Sequence, residues 1–503
     1  MSFEKFQASP WQNSHAIYSS SPLAVSPAPE YASSEVILSS LYRNIGFEWA
    51  GEGQVPKSGR ELDKRIQKCR DDDISPEGAR LDPSTFDKLI HSVLESPKLP
   101  NQSSKRFIQA TPLIPQVGTF SGSARLTANS WPAGRLVRRM IWLGSNNVDD
   151  AEAIWNRLFD AFSVDDHDDV FARFLQDEIS AWAPGGKWKR VDSGDKPMLA
   201  ESDTDGLVYP ARRFVQDLDA ILATKPALTR RQWTSLLEAI IRLASAAHVA
   251  WLCDVHARIW SCINNAVLGN CPNDASETRA KIFPSEFHFL TFGDRALPGI
   301  RDRTSAYLGA RLGINAALWC MDEIGSPIRS LSNAAEVYAA CKKVSERRNE
   351  LIAARFPEII QEVFEQENRM LLCKKNIGSN MLEFARHILG QRQAADPLLR
   401  GYDQGFILQK SGSSNASPWV VRLGPVAVLA LVHCSLAGTR GMRSVHRLSQ
   451  HLSGYGLRVD YNEIGTNDLG HQLRTLGLVL DSPDAESGML LVPPFPTREG
   501  AAR

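Results

Sequence analysis

Apolar residues recur at steps of three and four along the longest patterned stretch of the chain: Trp233, Leu236, Leu237, Ile240, Ile241, Ala244, Ala247, Trp251, Val255, Ile259 and Ile263. That period keeps them on one helical face, so the pattern predicts a long buried helix. Its start is marked by Thr229-Arg230-Arg231-Gln232, a capping box in which hydroxyl and amide reciprocally satisfy exposed backbone donors. A second box, Asn333-Ala334-Ala335-Glu336, opens a helix through Val337, Cys341, Val344, Leu351 and Ile352. Pro357 should stop or kink it, because proline lacks the donor and clashes with the preceding turn. The helical period resumes from Glu358 to Cys373, and Gly378 sets off a further helix from Asn380 to Gln393. Nearer the start, Leu62–Cys69 and Phe86–Leu94 are the expected helices, whereas Thr111–Ala128, with Pro112, Pro115, Gly118 and Gly122, reads as loop or short strand.

Eight of the twelve tryptophans fall between Trp131 and Trp260, which places the main core there. Repeated amphipathic helices joined by short turns favour a helical array or bundle, and no fixed-period repeat makes it a solenoid. Composition shifts divide the chain. Residues 1–34 form a Ser/Pro-rich flexible arm, 35–130 a small mixed region, 131–395 a tryptophan-rich helical scaffold and 396–418 a linker or loop. The rest, 419–503, is a compact unit: an apolar helix at Pro425–Leu436, a second from Ser444 to Leu452, an extended piece Leu457–Tyr461 and a third helix from Thr466 to Leu476. Two apolar runs, Leu478–Leu480 and Met489–Val492, flank a polar turn and read as a β-hairpin. Three short helices followed by a hairpin is the order of a winged helix-turn-helix. The expected fold class is therefore mainly α, a multi-helix scaffold carrying a small C-terminal winged-helix domain.

In helix-turn-helix geometry the third helix enters the major groove with its N-terminal residues at base edges. That places Thr466, Asn467, His471 and Arg474 at the groove, and Arg440, Arg443, His446 and Arg447 where phosphate contacts are usual. Against DNA, the wing carries Asp481, Asp484 and Glu486, and the basic excess of the unit is weak. Direct contact with double-stranded DNA and a protein-docking or purely structural role both stay open.

The run Leu469-Gly470-His471-Gln472-Leu473-Arg474-Thr475-Leu476-Gly477-Leu478, followed by Asp481-Ser482-Pro483-Asp484-Ala485, resembles winged-helix modules in large accessory proteins of bacterial defence and DNA-modification gene clusters. The resemblance covers roughly residues 420–495. It implies a place in a multi-subunit anti-phage or restriction-type assembly, with other subunits as partners, and implies no particular activity.

Composition narrows this little. The 503 residues are 43% hydrophobic and 23% charged, with 57 basic and 57 acidic side chains, so no global field draws the chain to nucleic acid or membrane. The eight cysteines include no CxxC pair and read as reduced, buried thiols; Cys253, Cys262 and Cys271 lack the short paired spacing of zinc sites. The N-terminus has no apolar signal region. The best apolar run, Val420–Leu436, contains Arg422 and Pro425 and falls short of a membrane span, so a cytoplasmic protein is expected.

The chain carries no phosphate loop, dinucleotide fingerprint, HExxH or GxSxG. Pro483-Asp484 with Glu486 approaches a nuclease motif but lacks its lysine. Asp165-Asp166-His167-Asp168-Asp169 could hold a divalent cation, yet reads better as a helix start, where the dipole favours anions. His248 and His256 lie near the buried face of the long helix and read as core residues. The neighbours His433 and Cys434 diverge on one helix and form no nucleophile–base pair. Arg135, Arg138 and Arg139, with Arg212-Arg213 and Arg230-Arg231, would make a phosphate-binding surface only if the fold gathered them. The expectation is thus a non-enzymatic scaffold or adaptor subunit without cofactor or metal, whose C-terminal unit contacts double-stranded DNA or another subunit. The alternative is a metal-dependent nuclease with a dispersed acidic site. A self-contained transcriptional regulator ranks third, for want of a recognisable effector-binding module.

Overall fold

The computed structural model describes residues 3–8, 21–25, 34–49, 60–94, 111–119, 133–184, 186–191, 196–365, 377–390, 403, 405–412, 414, 416–438, 443–481 and 489–496. It is mainly helical. In chain order the N-terminal helices are α1 (Phe3–Ala8), α2 (Ser34–Ile45), α3 (Arg60–Asp71) and α4 (Pro83–Leu89), the last continued by a single π turn at Ile90–Leu94. Then come α5 (Ala133–Gly144), α6 (Val148–Phe162), α7 (Val170–Trp182), α8 (Glu201–Thr204) and α9 (Pro210–Thr224). The middle holds α10 (Arg230–Val267), α11 (Ala275–Ile282) and α12 (Ala296–Glu323). After these run α13 (Ala334–Glu346), α14 (Arg348–Ala353), α15 (Phe356–Glu365) and α16 (Ile377–Leu389). The C-terminal unit holds α17 (Pro425–Leu436), α18 (Val445–Ser453) and α19 (Asp468–Thr475).

The long helix starts where the capping box places it. Thr229 accepts from the Gln232 amide, and the Gln232 side chain accepts from the Thr229 amide at 3.0 Å. The box at Asn333 is only half formed: Asn333 accepts from the Glu336 amide, but the Glu336 carboxylate turns to Ser330 and the Ser332 amide. The 38 residues of α10 are buried on nearly every side rather than on one face. Helices from both halves of the chain surround it, including α2, α5, α9, α12, α13, α16 and α17. That all-round burial encloses even its charged residues: Arg242 pairs with Glu238 at 2.6 Å and donates to the Ile388 carbonyl at 2.8 Å. By length and composition α10 could cross a membrane, but its apolar window is wholly buried in the protein.

The 28-residue α12 lies along α10, and Gly313 is the reason the two can close. A Cβ at Gly313 would stand 2.6 Å from the Trp260 ring. Pro357 does not end a helix: the break falls at Ala354–Arg355, with Arg355 at φ 64°, and Pro357 sits in the first turn of α15. The expected stretches 366–373 and 391–393 lie outside the described residues.

Two apolar cores result. The main one runs from Phe6 to Leu491 and includes Leu23 and Val25, so those three residues depart from the expected flexible arm: their apolar side chains are buried. The smaller core packs α3, α4 and Leu113–Val117 onto α7, with Phe86 stacked on Trp182 at 4.3 Å. The expected linker differs as well. Within it Phe406, Ile407 and Leu408 are buried, and β4 (Leu408–Lys410) pairs antiparallel with β5 (Trp419–Val421). Sheet is otherwise sparse: β1 (Phe47–Trp49) pairs with β2 (Gly186–Trp188), and β3 (Leu290–Thr291) runs parallel to β6 (Leu457–Arg458). The last pair is the antiparallel hairpin of β7 (Val479–Asp481) and β8 (Met489–Leu491).

Candidate nucleic-acid interface

The C-terminal unit is built by short-range rules. Pro425 occupies the first turn of α17, where its missing donor costs nothing. Asn467 caps α19 by accepting from the amides of Leu469 and Gly470 at 3.0 and 3.1 Å. Gly470 is required by close approach: a Cβ there would fall 1.7 Å from the Ile464 carbonyl oxygen. Leu469 and Leu473 face inward, while Asp468, His471, Arg474 and Thr475 are exposed on the outer side of α19. Ser444, between α17 and α18, bridges antiparallel to Leu490, and the Leu491 amide donates to the Arg443 carbonyl. The segment before α18 thereby joins the hairpin as a third extended piece.

The expected contact residues do different things. Asn467 is occupied as a helix cap. Thr466 is exposed and donates from its hydroxyl to the Glu463 carbonyl at 3.2 Å. Arg474 donates to the Gly465 carbonyl at 2.8 Å, so its guanidinium is tied to the turn before its own helix. His471 and Arg443 are exposed, Arg447 is half-buried, and Arg440 lies outside the described residues. Asp468 is paired with Arg422 at 2.8 Å, which offsets the one carboxylate in the first turn of α19. Tyr461 stands edge-on to His446 at 4.8 Å. Of the acidic residues expected in the hairpin, Asp484 and Glu486 lie outside the described residues.

Other expected clusters resolve as structure. Arg138 and Arg139 are buried, Arg138 over the Trp142 and Trp155 rings and Arg139 on the Ser21 carbonyl at 3.1 Å, so neither faces a phosphate. Arg230 is buried too, pairing with Asp168 at 3.0 Å and donating to the Leu113 carbonyl. Asp169 caps α7, and Asp168 also accepts from Lys225 at 3.2 Å, which accounts for most of the acidic run without a cation. Burial alone would raise the Asp168 carboxyl, but Arg230, the Asp165 amide and Lys225 outweigh it and hold it below the ordinary carboxylate range. Desolvation pushes both His248 and His256 down to about 3, the behaviour of neutral core imidazoles. Among the described residues no group of three or more His, Cys, Asp or Glu is placed to hold a metal ion. The seven described cysteines are all free, and burial drives Cys320 and Cys341 up to about 12, far from thiolate reactivity.

Sequence reasoning missed the joint beneath the unit. Asp217 on α9 is buried, and its carboxylate accepts from His451 Nε2 at 3.0 Å and from the Tyr455 hydroxyl at 2.7 Å. Burial, then the Asp217 charge, raise the Tyr455 phenol well above its ordinary value, so it stays a donor. This knot spans more than two hundred residues of sequence, and an isolated aspartate in a helical pattern carries no signal of it. Beside the joint opens a cleft of 680 Å³ between α5, α6 and α9 on one side and the C-terminal unit on the other. Arg212, Gln216, Asp150 and Asp219 line it from the scaffold, with His433 and Arg443 opposite. Set against known proteins, the chain matches no family model, no curated protein and no solved structure.

Proposed function

We propose that this chain is a non-catalytic scaffold subunit whose C-terminal unit is a winged helix that contacts double-stranded DNA within a multi-protein, anti-phage or restriction-type assembly. One observation carries the DNA reading. The unit has the helix–helix–helix–hairpin order, its hairpin is joined by Ser444 ahead of the second helix, and the outer face of the third helix, with His471, is left exposed. That is the arrangement in which a third helix enters a major groove. The Asp217 joint supports the scaffold part, since it fixes the unit to the helical body instead of leaving it on a tether. The assembly rests on the resemblance of Leu469–Leu478 and its surroundings to modules of defence gene clusters.

Fluorescence anisotropy with a random duplex of roughly 30 base pairs, titrated at low and physiological salt, tests this. Arg443→Ala/His471→Ala is the matched variant, because both side chains are exposed and neither caps or ties a helix. Affinity that falls steeply with salt and drops in the variant supports the reading. Absence of binding at low salt overturns DNA contact and leaves the exposed α19 face as a surface for another subunit.

A further inference from the structure

We propose that the ion pair of Arg422 and Asp468 reads a G·C base pair in the major groove, a role that rests on the DNA contact proposed above and gives it a sequence preference. Arg422 donates to guanine, and Asp468 holds the guanidinium in place.

Asp468 is the first residue of α19, and its carboxylate accepts from Arg422 at 2.8 Å. Arg422 lies between β5 and α17, so its side chain reaches the start of α19 from a neighbouring element. Both backbones are fixed. The Arg422 amide donates to the Ile407 carbonyl at 2.9 Å and the Gly424 amide to the Phe406 carbonyl at 2.8 Å, while Asn467 caps α19. Both side chains stay open to solvent, Arg422 at 45% and Asp468 at 58%. Steps of three and four put Asp468, His471 and Thr475 on one face of α19, and all three are exposed. In a helix lying in a major groove, the N-terminal residues meet the base edges.

Charge decides between base and phosphate. Among the described residues the two side chains have only each other as ion-pair partners, so together they are neutral and offer a phosphate no net attraction. The carboxylate would also repel a phosphate brought to the same donors, whereas a base edge is uncharged. Asp468 engages Nη2 of the guanidinium, and the donors that remain match the O6 and N7 acceptors of guanine. Guanine alone presents two acceptors in the major groove. The second Asp468 oxygen is left to accept from a cytosine amino group. An exposed ion pair adds little to stability, so the fold does not depend on this one. Its effect is to orient the fork before binding, which reduces the order lost at the groove.

A pool of duplexes of roughly 30 base pairs with random centres, partitioned by the full chain at low salt and sequenced, is the probe. The retained duplexes should carry a fixed G·C pair at one position, preferred roughly tenfold over A·T. Arg422→Lys keeps the charge but loses the two-point fork, so it should bind the unselected pool as tightly as the native chain while the fixed position disappears. Asp468→Asn frees the cation for phosphate, so pool affinity should rise while the preference falls. Replacing the fixed guanine by 7-deazaguanine removes N7 and leaves pairing intact; it should weaken the native chain and leave Arg422→Lys unchanged. Retention of no duplex overturns the DNA reading itself. Retention without a fixed G·C pair, a G·C position that persists in Arg422→Lys, or indifference of the native chain to 7-deazaguanine overturns base reading by this pair and leaves DNA contact standing.

Discussion

Two buried aspartates hold this molecule together by different means. Asp168 lies inside the scaffold and faces two permanent cations, Arg230 and Lys225. Asp217 lies at the joint and faces an imidazole and a phenol, His451 and Tyr455, neither a permanent charge. The first is an ion-paired corner that fixes the starts of α7 and α10 relative to each other. The second is a hydrogen-bonded latch between an element laid down early and one laid down late. Permanent cations close the corner inside the body, and an imidazole with a phenol attaches the C-terminal unit.

The sharpest way to break the comparison is Asp168→Ala. It leaves Arg230 buried without its counter-charge, and about 3–5 kcal/mol of stability should be lost. Chemical denaturation reads this; a loss below about 1 kcal/mol would mean the corner is not a true ion pair. The sign with pH follows from the depressed carboxyl. Its stabilisation is fully present above the ordinary carboxylate range and is lost as pH falls through the lower, folded-state value.

Asp217→Ala comes next, with a loss of about 1.5–3 kcal/mol for bonds to a charged acceptor. The damage should be local. Hydrogen exchange is expected to rise in α17 and α18 while α10 stays protected, and Tyr455→Phe should give a milder version of the same map. Uniform loss of protection across the chain would show the latch to be part of the global core instead.

The smallest effect sharpens the comparison from a third buried group that has no partner. Among the described residues neither ring nitrogen of His248 has a hydrogen-bond partner, and the ring stacks on Trp251 at 6.0 Å. Replacement by leucine, of similar volume, should change stability at neutral pH by no more than about 1 kcal/mol. The folded-state imidazole titrates near 3 instead of its ordinary 6.5, so the unfolded chain takes up the proton first. Stability from the neutral ring is thus complete above 6.5 and declines as pH falls toward 3, and His248→Leu should flatten that part of the profile. An unchanged pH profile would mean the ring is hydrated in the native protein.

What could be read from the sequence followed local physics. The start of α10 was legible because a capping box is a four-residue event, and α17 because apolar periodicity with an early proline is equally local. Interpretation failed where distant partners decide. Nothing local ties Gly313 to Trp260, the ring that closes against it. Arg138 and Arg139 read as a basic patch until Trp142, Trp155 and the Ser21 carbonyl are seen to take them inside. The cleft was beyond reach for the same reason: Arg212 and Arg443 lie far apart in the chain. Of the expected DNA-contacting set, the identities of Asn467 and Arg474 suggested readout, but the first is spent on a helix end and the second on the Gly465 carbonyl.

The latch also has a consequence for synthesis. Asp217 leaves the ribosome 238 residues ahead of Tyr455. At ordinary elongation rates that is a wait of roughly 10–50 s, during which the carboxylate has no donor and the face of α9 that will meet α17 is uncovered. The scaffold cannot close around its central helix until α17 has emerged. A nascent chain of this protein therefore spends those 238 residues of synthesis as a client for whatever shields apolar helices, and a premature stop before residue 451 would strand it in that state.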